Sequence, residues 1–76
     1  MTDHRLHRRA TEALDAALAS LRDAAASLRA ATVAERADAD PSDQRAVGAL
    51  VSLTGQVERA AGAAGVVRDA YAEEPR

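Results

Sequence analysis

The 76-residue sequence predicts an all-α fold: an antiparallel two-helix hairpin with an Ala/Leu heptad coiled-coil seam, dimerising to a four-helix bundle. Three observations carry that expectation. Residues Leu6 to Arg36 contain neither Gly nor Pro and are rich in Ala, the best helix former. Apolar residues recur every seven positions on both sides of a single break. One pairing register then aligns all of those rows at once.

The first helix is expected over about residues 4–37, with the turn at about 38–41. Its seam is read as Leu14, Leu21 and Leu28, each followed three positions later in a row formed by Ala10, Ala17, Ala24 and Ala31. A rival helix start at Thr32-Val33-Ala34-Glu35 has capping-box spacing. The break itself is Asp38-Ala39-Asp40-Pro41-Ser42-Asp43. Asp40 suits an N-cap, Pro41 the first helical position, and Asp43 adds favourable charge to the first turn.

The second helix is expected over about residues 41–72, leaving 73–76 as a frayed tail, and the whole chain 1–76 reads as one domain. Val47, Thr54 and Ala61 form one row; Leu50, Val57, Ala64 and Tyr71 form the other. Folding back at Asp40 sets Leu28 against Leu50, Leu21 against Val57 and Leu14 against Ala64. The alternate layers are Ala31 with Val47, Ala24 with Thr54, and Ala17 with Ala61. In the same register His7 faces Tyr71 at the open end, read as a polar end-cap to the core.

Composition sharpens the expectation of self-association. Of the 47% apolar residues most are Ala, so burial falls to seven Leu and six Val. That supply is thin for a lone hairpin whose ordering costs conformational entropy at every residue. Apolar residues also continue beyond one seam: Leu6, Ala13, Ala46, Leu53, Ala60 and Val67 on one flank, Leu18 and Val51 on the other. A strip this wide calls for a second surface, and these residues are the expected dimer or partner interface. Gly48, Gly55 and Gly62 share a heptad phase, and each costs about 1 kcal/mol in a helix interior relative to Ala. They are read as small residues admitting another backbone at close range.

The charge pattern bounds the function. All ten basic residues are Arg, and the net charge is −2. Arg5, Arg8 and Arg9 cluster at the first helix's N-terminus, where cations oppose the helix dipole. Arg22 and Arg29 have no acid three or four positions away on their own helix, and Glu58 lies level with Arg22 in the paired register. These five arginines are the candidate anion or partner contacts. His4 and His7 stand at i,i+3 but lack further ligands, so neither a metal nor any other cofactor is expected. No Ser-His-Asp spacing, phosphate-binding loop or metalloprotease motif is present, and an enzyme is not expected.

The sequence has no Cys, no uncharged apolar run long enough to span a bilayer and no apolar stretch after its basic start. A cytoplasmic protein with no membrane association is therefore expected. Alanine-Leu layers closed by a short turn resemble the plasmid copy-control RNA-binding hairpin dimers over most of the chain. That likeness implies a basic RNA-facing surface, which the dispersed arginines and negative net charge do not provide. Hairpins exported by type VII secretion carry a Trp-x-Gly turn and a Tyr-x-x-x-Asp/Glu signal. This turn lacks Trp, and Pro75 stands four after Tyr71, with Glu74 one position early.

The functional expectation is a non-enzymatic helical protein–protein interaction module, a small self-associating regulator or adaptor with a protein partner. An RNA- or nucleic-acid-binding dimer using the N-terminal arginines is the second reading, and a small secreted hairpin of the type VII kind the third.

Overall fold

The computed structural model describes the backbone of residues 4–38, 40 and 44–73, and the side chains of 7–37, 40 and 44–73. Two helices account for it: α1, His4–Asp38, and α2, Gln44–Ala72. They pack along their length into a rod with Cα extents of 60 × 13 × 13 Å. Contacts run in opposite directions along the two helices: His7 meets Tyr71, Asp15 meets Arg68, and Arg29 meets Glu58. The chain is thus a two-helix hairpin.

Helix α1 passes through Thr32 without a break, so the rival start there is not used. The reason is visible at the hydroxyl. Thr32 Oγ1 donates to the Leu28 carbonyl at 2.8 Å, inside the helix, instead of capping a new one. Arg36 lies in the last turn of α1, where a cation complements the helix dipole. Helix α2 is described from Gln44; Pro41, Ser42 and Asp43, where its start was expected, lie outside the described residues.

The α2 rows face inward as their spacing predicts. Val47 and Thr54 are buried, while Leu50, Val57, Ala61 and Ala64 are half-buried; Tyr71, at the open end, stays exposed. In α1 the Leu14, Leu21 and Leu28 row is half-buried, but its companion row is not the expected one. Ala17 and Ala24 are exposed, and the buried row is Leu18, Ala25 and Thr32, four positions after each Leu. Leu18 and Ala25 are each only 3% exposed. The rotation has a simple cause: it buries Leu18 where the expected orientation would bury Ala17. Each extra buried methylene is worth about 0.8 kcal/mol. Leu18 is therefore part of the hairpin's own seam and is withdrawn from the outer flank assigned to it from sequence.

Polar residues in the seam satisfy themselves locally. Thr11, Thr32 and Thr54 donate to the carbonyls of His7, Leu28 and Leu50 at 2.9, 2.8 and 2.7 Å. With its hydroxyl turned back on its own helix, each threonine sits in the seam at no unsatisfied-donor cost.

Candidate interaction surfaces

The two flanks of the hairpin differ sharply in charge. On one side, helical spacing of three and four places Ala10, Ala13, Ala17, Ser20, Ala24, Ser27, Ala31 and Ala34 along α1. The same spacing places Ala46, Ala49, Leu53, Gln56, Ala60, Ala63, Val67 and Ala70 along α2. A shallow groove lined by Ala31, Glu35, Ala46, Ala49, Leu50 and Leu53 shows that these rows lie on one side of the molecule. None of the sixteen positions is charged or fully buried. Leu53 and Val67 are its largest aliphatic side chains, 45% and 44% exposed.

Between Ala10 and Ala34, and between Ala46 and Tyr71, the chain carries nine charged residues. They are Glu12, Asp15, Arg22, Asp23, Arg29, Glu58, Arg59, Arg68 and Asp69. All lie off the uncharged side. The opposite flank groups Arg29, Val33, Arg36, Val51, Gly55 and Glu58 around one groove. Val51 is thus exposed on the ionic side, apart from the other flank residues.

Two ion-pair clusters tie the helices together on that side. Arg29 Nη1 donates to Glu58 Oε2 at 2.9 Å, with both side chains about half exposed. The sequence register set Glu58 level with Arg22; the longer reach belongs to Arg29, one helical repeat nearer the turn. Exposed pairs of this kind contribute roughly 0–1 kcal/mol. Among the described residues no carboxylate pairs with Arg22.

Sequence reasoning missed the second cluster. Arg68 Nη1 donates to Asp15 Oδ1 at 2.9 Å, and Arg68 Nε lies 2.9 Å from Asp69 Oδ1 without hydrogen-bond alignment. The signal was present: Arg68 continues the inward row of Val47, Thr54 and Ala61, and a cation in that row needs an acid across the seam. Asp15, which interrupts the Arg8, Arg22, Arg29 row, supplies it. The hydrogen bond Arg68 donates to Asp15 and the charge of Asp69 raise the Arg68 pKa above its ordinary value, against a smaller opposing desolvation. A cation with a raised folded pKa keeps its stabilising contribution at all pH values below the ordinary arginine range.

At the open end the His7 and Tyr71 rings lie 5.7 Å apart, tilted by 55°, in the expected layer. Arg8 and Arg9 are exposed, while the side chains of His4, Arg5 and Leu6 lie outside the described residues. Ala13, Ala46 and Ala60 are exposed with Leu53 and Val67 on the uncharged side.

The glycine row stays open within the hairpin. A Cβ at Gly48 or Gly62 would meet nothing within 4 Å, and at Gly55 only Arg59 Nη1 at 3.4 Å. The glycine that faces a side chain across the seam is Gly65, whose added Cβ would lie 4.0 Å from Leu18 Cδ2.

Among the described residues no three His, Cys, Asp or Glu side chains gather as a metal site, and no helix is long and apolar enough to cross a membrane. The fold and its surfaces define an all-helical hairpin with one uncharged and one ionic flank. Comparison with protein families, curated proteins and solved structures returns no match.

Proposed function

We propose that the chain is a non-enzymatic, self-associating interaction module. Two hairpins associate through the uncharged flank into a four-helix bundle with coiled-coil packing, and the ionic flank stays free for a protein partner. The observation that carries this reading is the segregation of charge: nine charged residues lie off one continuous flank of sixteen uncharged positions. Water solvates a single helical hairpin equally on both flanks, so hairpin stability alone does not call for such a division.

Arg22, with Arg8 and Arg9, would present cations to an acidic protein surface. The pairing of Arg29 with Glu58 removes one cation from any nucleic-acid face, which favours a protein partner over RNA. A cytoplasmic setting accords with the cysteine-free sequence. Sedimentation of Leu53→Glu tests the reading: a shift from dimer to monomer supports it, and a wild-type chain that is already a folded monomer at low micromolar concentration rejects it.

A further inference from the structure

We infer that the Asp15–Arg68 ion pair selects which face of α1 packs against α2, in addition to the burial of Leu18. The pair holds α1 rolled so that Leu18, Ala25 and Thr32 lie in the seam, and so fixes which α1 residues remain outside. This is a property of one hairpin and stands whether or not two hairpins associate.

Helix α1 has two faces able to serve, and both contain the Leu14, Leu21 and Leu28 row. One adds Leu18, Ala25 and Thr32, four positions on; the other adds Ala17, Ala24 and Ala31, three positions on. Neighbouring residues are about 100° apart around a helix, so a roll of about 50° exchanges the two faces. The alternative row already borders the seam, since Ala10 and Ala31 at its two ends are half-buried. Apolar burial separates the faces by little more than one side chain. Leu18 favours the observed face, while Thr11 and Thr32 bring hydroxyls to it where the other face offers only alanine.

Charge discriminates more sharply. Arg68 continues the inward row of Val47, Thr54 and Ala61, and its side chain is 32% exposed, so it meets whichever face α1 presents. On the observed face it donates to Asp15 Oδ1 at 2.9 Å. The other members of the Asp15 heptad row, Arg8, Arg22, Arg29 and Arg36, are all cations, so no second acid of that row can take its place. A roll to the alternative face turns Asp15 towards solvent. It sets Ala10 level with Arg68, continuing the pairing of Ala31 with Val47, Ala24 with Thr54 and Ala17 with Ala61. From Ala10 to Ala17 that face carries Ala13 and Leu14 between them, and no carboxylate. Arg68 would keep only Asp69, its own chain neighbour. A half-buried cation that loses its partner across the seam retains the desolvation cost without the compensating hydrogen bond. The Arg29–Glu58 pair springs from the same α1 row as Asp15 and opposes the same roll.

The test balances the apolar terms and then removes the pair. Ala17→Leu gives both faces one leucine beside the shared row, and it adds an apolar side chain instead of deleting one. In the isotope-labelled full chain, nuclear Overhauser contacts between the Leu18 methyls and Gly65 report the observed face, where they adjoin. Contacts from the side chain at position 17 to the Ala61 methyl report the alternative. With the ion pair intact, Ala17→Leu should keep the Leu18–Gly65 contact. Adding Arg68→Gln should weaken that contact at least about five-fold and bring up the contact to Ala61. Exchanging the charges, Asp15→Arg with Arg68→Asp in the Ala17→Leu chain, should restore helicity and the Leu18–Gly65 contact together. An Ala17→Leu chain that rolls with the pair intact would overturn the proposal, as would a helical Arg68→Gln chain that does not roll. If Arg68→Gln costs the chain its helicity, the exchanged pair decides: failure to restore both readouts overturns the proposal.

Discussion

Leu18 of α1 packs towards Gly65 of α2, its Cδ2 lying 4.0 Å from where a β-carbon on that glycine would stand. This contact marks the rotation of α1 that sends Ala17 and Ala24 outward. The seam gains the larger Leu18 side chain, and the outer flank gains a row of small uncharged residues. Core and uncharged flank are thus two consequences of one helix orientation.

The Leu18 contact predicts an asymmetry between neighbours. Leu18→Ala removes one of the few buried hydrophobic side chains and is expected to cost about 2–4 kcal/mol, read as a fall in the urea midpoint. Ala17→Ser, on the exposed row, should change stability by less than about 0.5 kcal/mol. Equal effects at the two positions would contradict the rotation.

The open glycines predict a gain. Gly48→Ala and Gly62→Ala place a methyl where nothing lies within 4 Å, so each should stabilise the hairpin by about 0.5–1 kcal/mol through helix propensity. Thermal unfolding measures it. Gly65→Ala meets Leu18 at ordinary contact distance and should also be tolerated.

The arginine clamp predicts a particular pH response. Arg68→Gln breaks the link to Asp15 and should lower the melting temperature. Because the Arg68 pKa is raised, the difference from wild type should stay constant from roughly pH 7 to 10, below the ordinary arginine range. A difference that fades across that interval would show that the guanidinium charge is not its source.

Much of the hairpin was legible because its signals are periodic. Ala-rich, Gly- and Pro-free sequence defined α1, and the rows at Val47 and Leu50 pointed α2 inward. The layer of His7 against Tyr71 followed from that register alone. The rotation of α1 was not legible, because the Leu14, Leu21, Leu28 row has eligible neighbours both three and four positions on. The threonines at 11 and 32 made the true row look polar, and only their hydrogen bonds to the preceding turn remove that objection. Ion-pair partners were also hidden, since the reach of Arg29 and Arg68 spans more than one layer. Leu53, Ala60 and Val67 were readable as a flank, but its freedom from charge became apparent only with the two helices side by side.

Replacing Leu53 and Val51 separately with Glu compares the two flanks directly. The uncharged-interface account predicts at least about a hundred-fold weaker self-association for Leu53→Glu. It predicts little change for Val51→Glu, which lies among Arg29, Gly55 and Glu58.

The most direct test of the central claim is sedimentation equilibrium of the wild-type chain at low micromolar concentration. The account predicts a helical species of twice the 7.9 kDa chain mass. A stable, fully helical species of 7.9 kDa would contradict it.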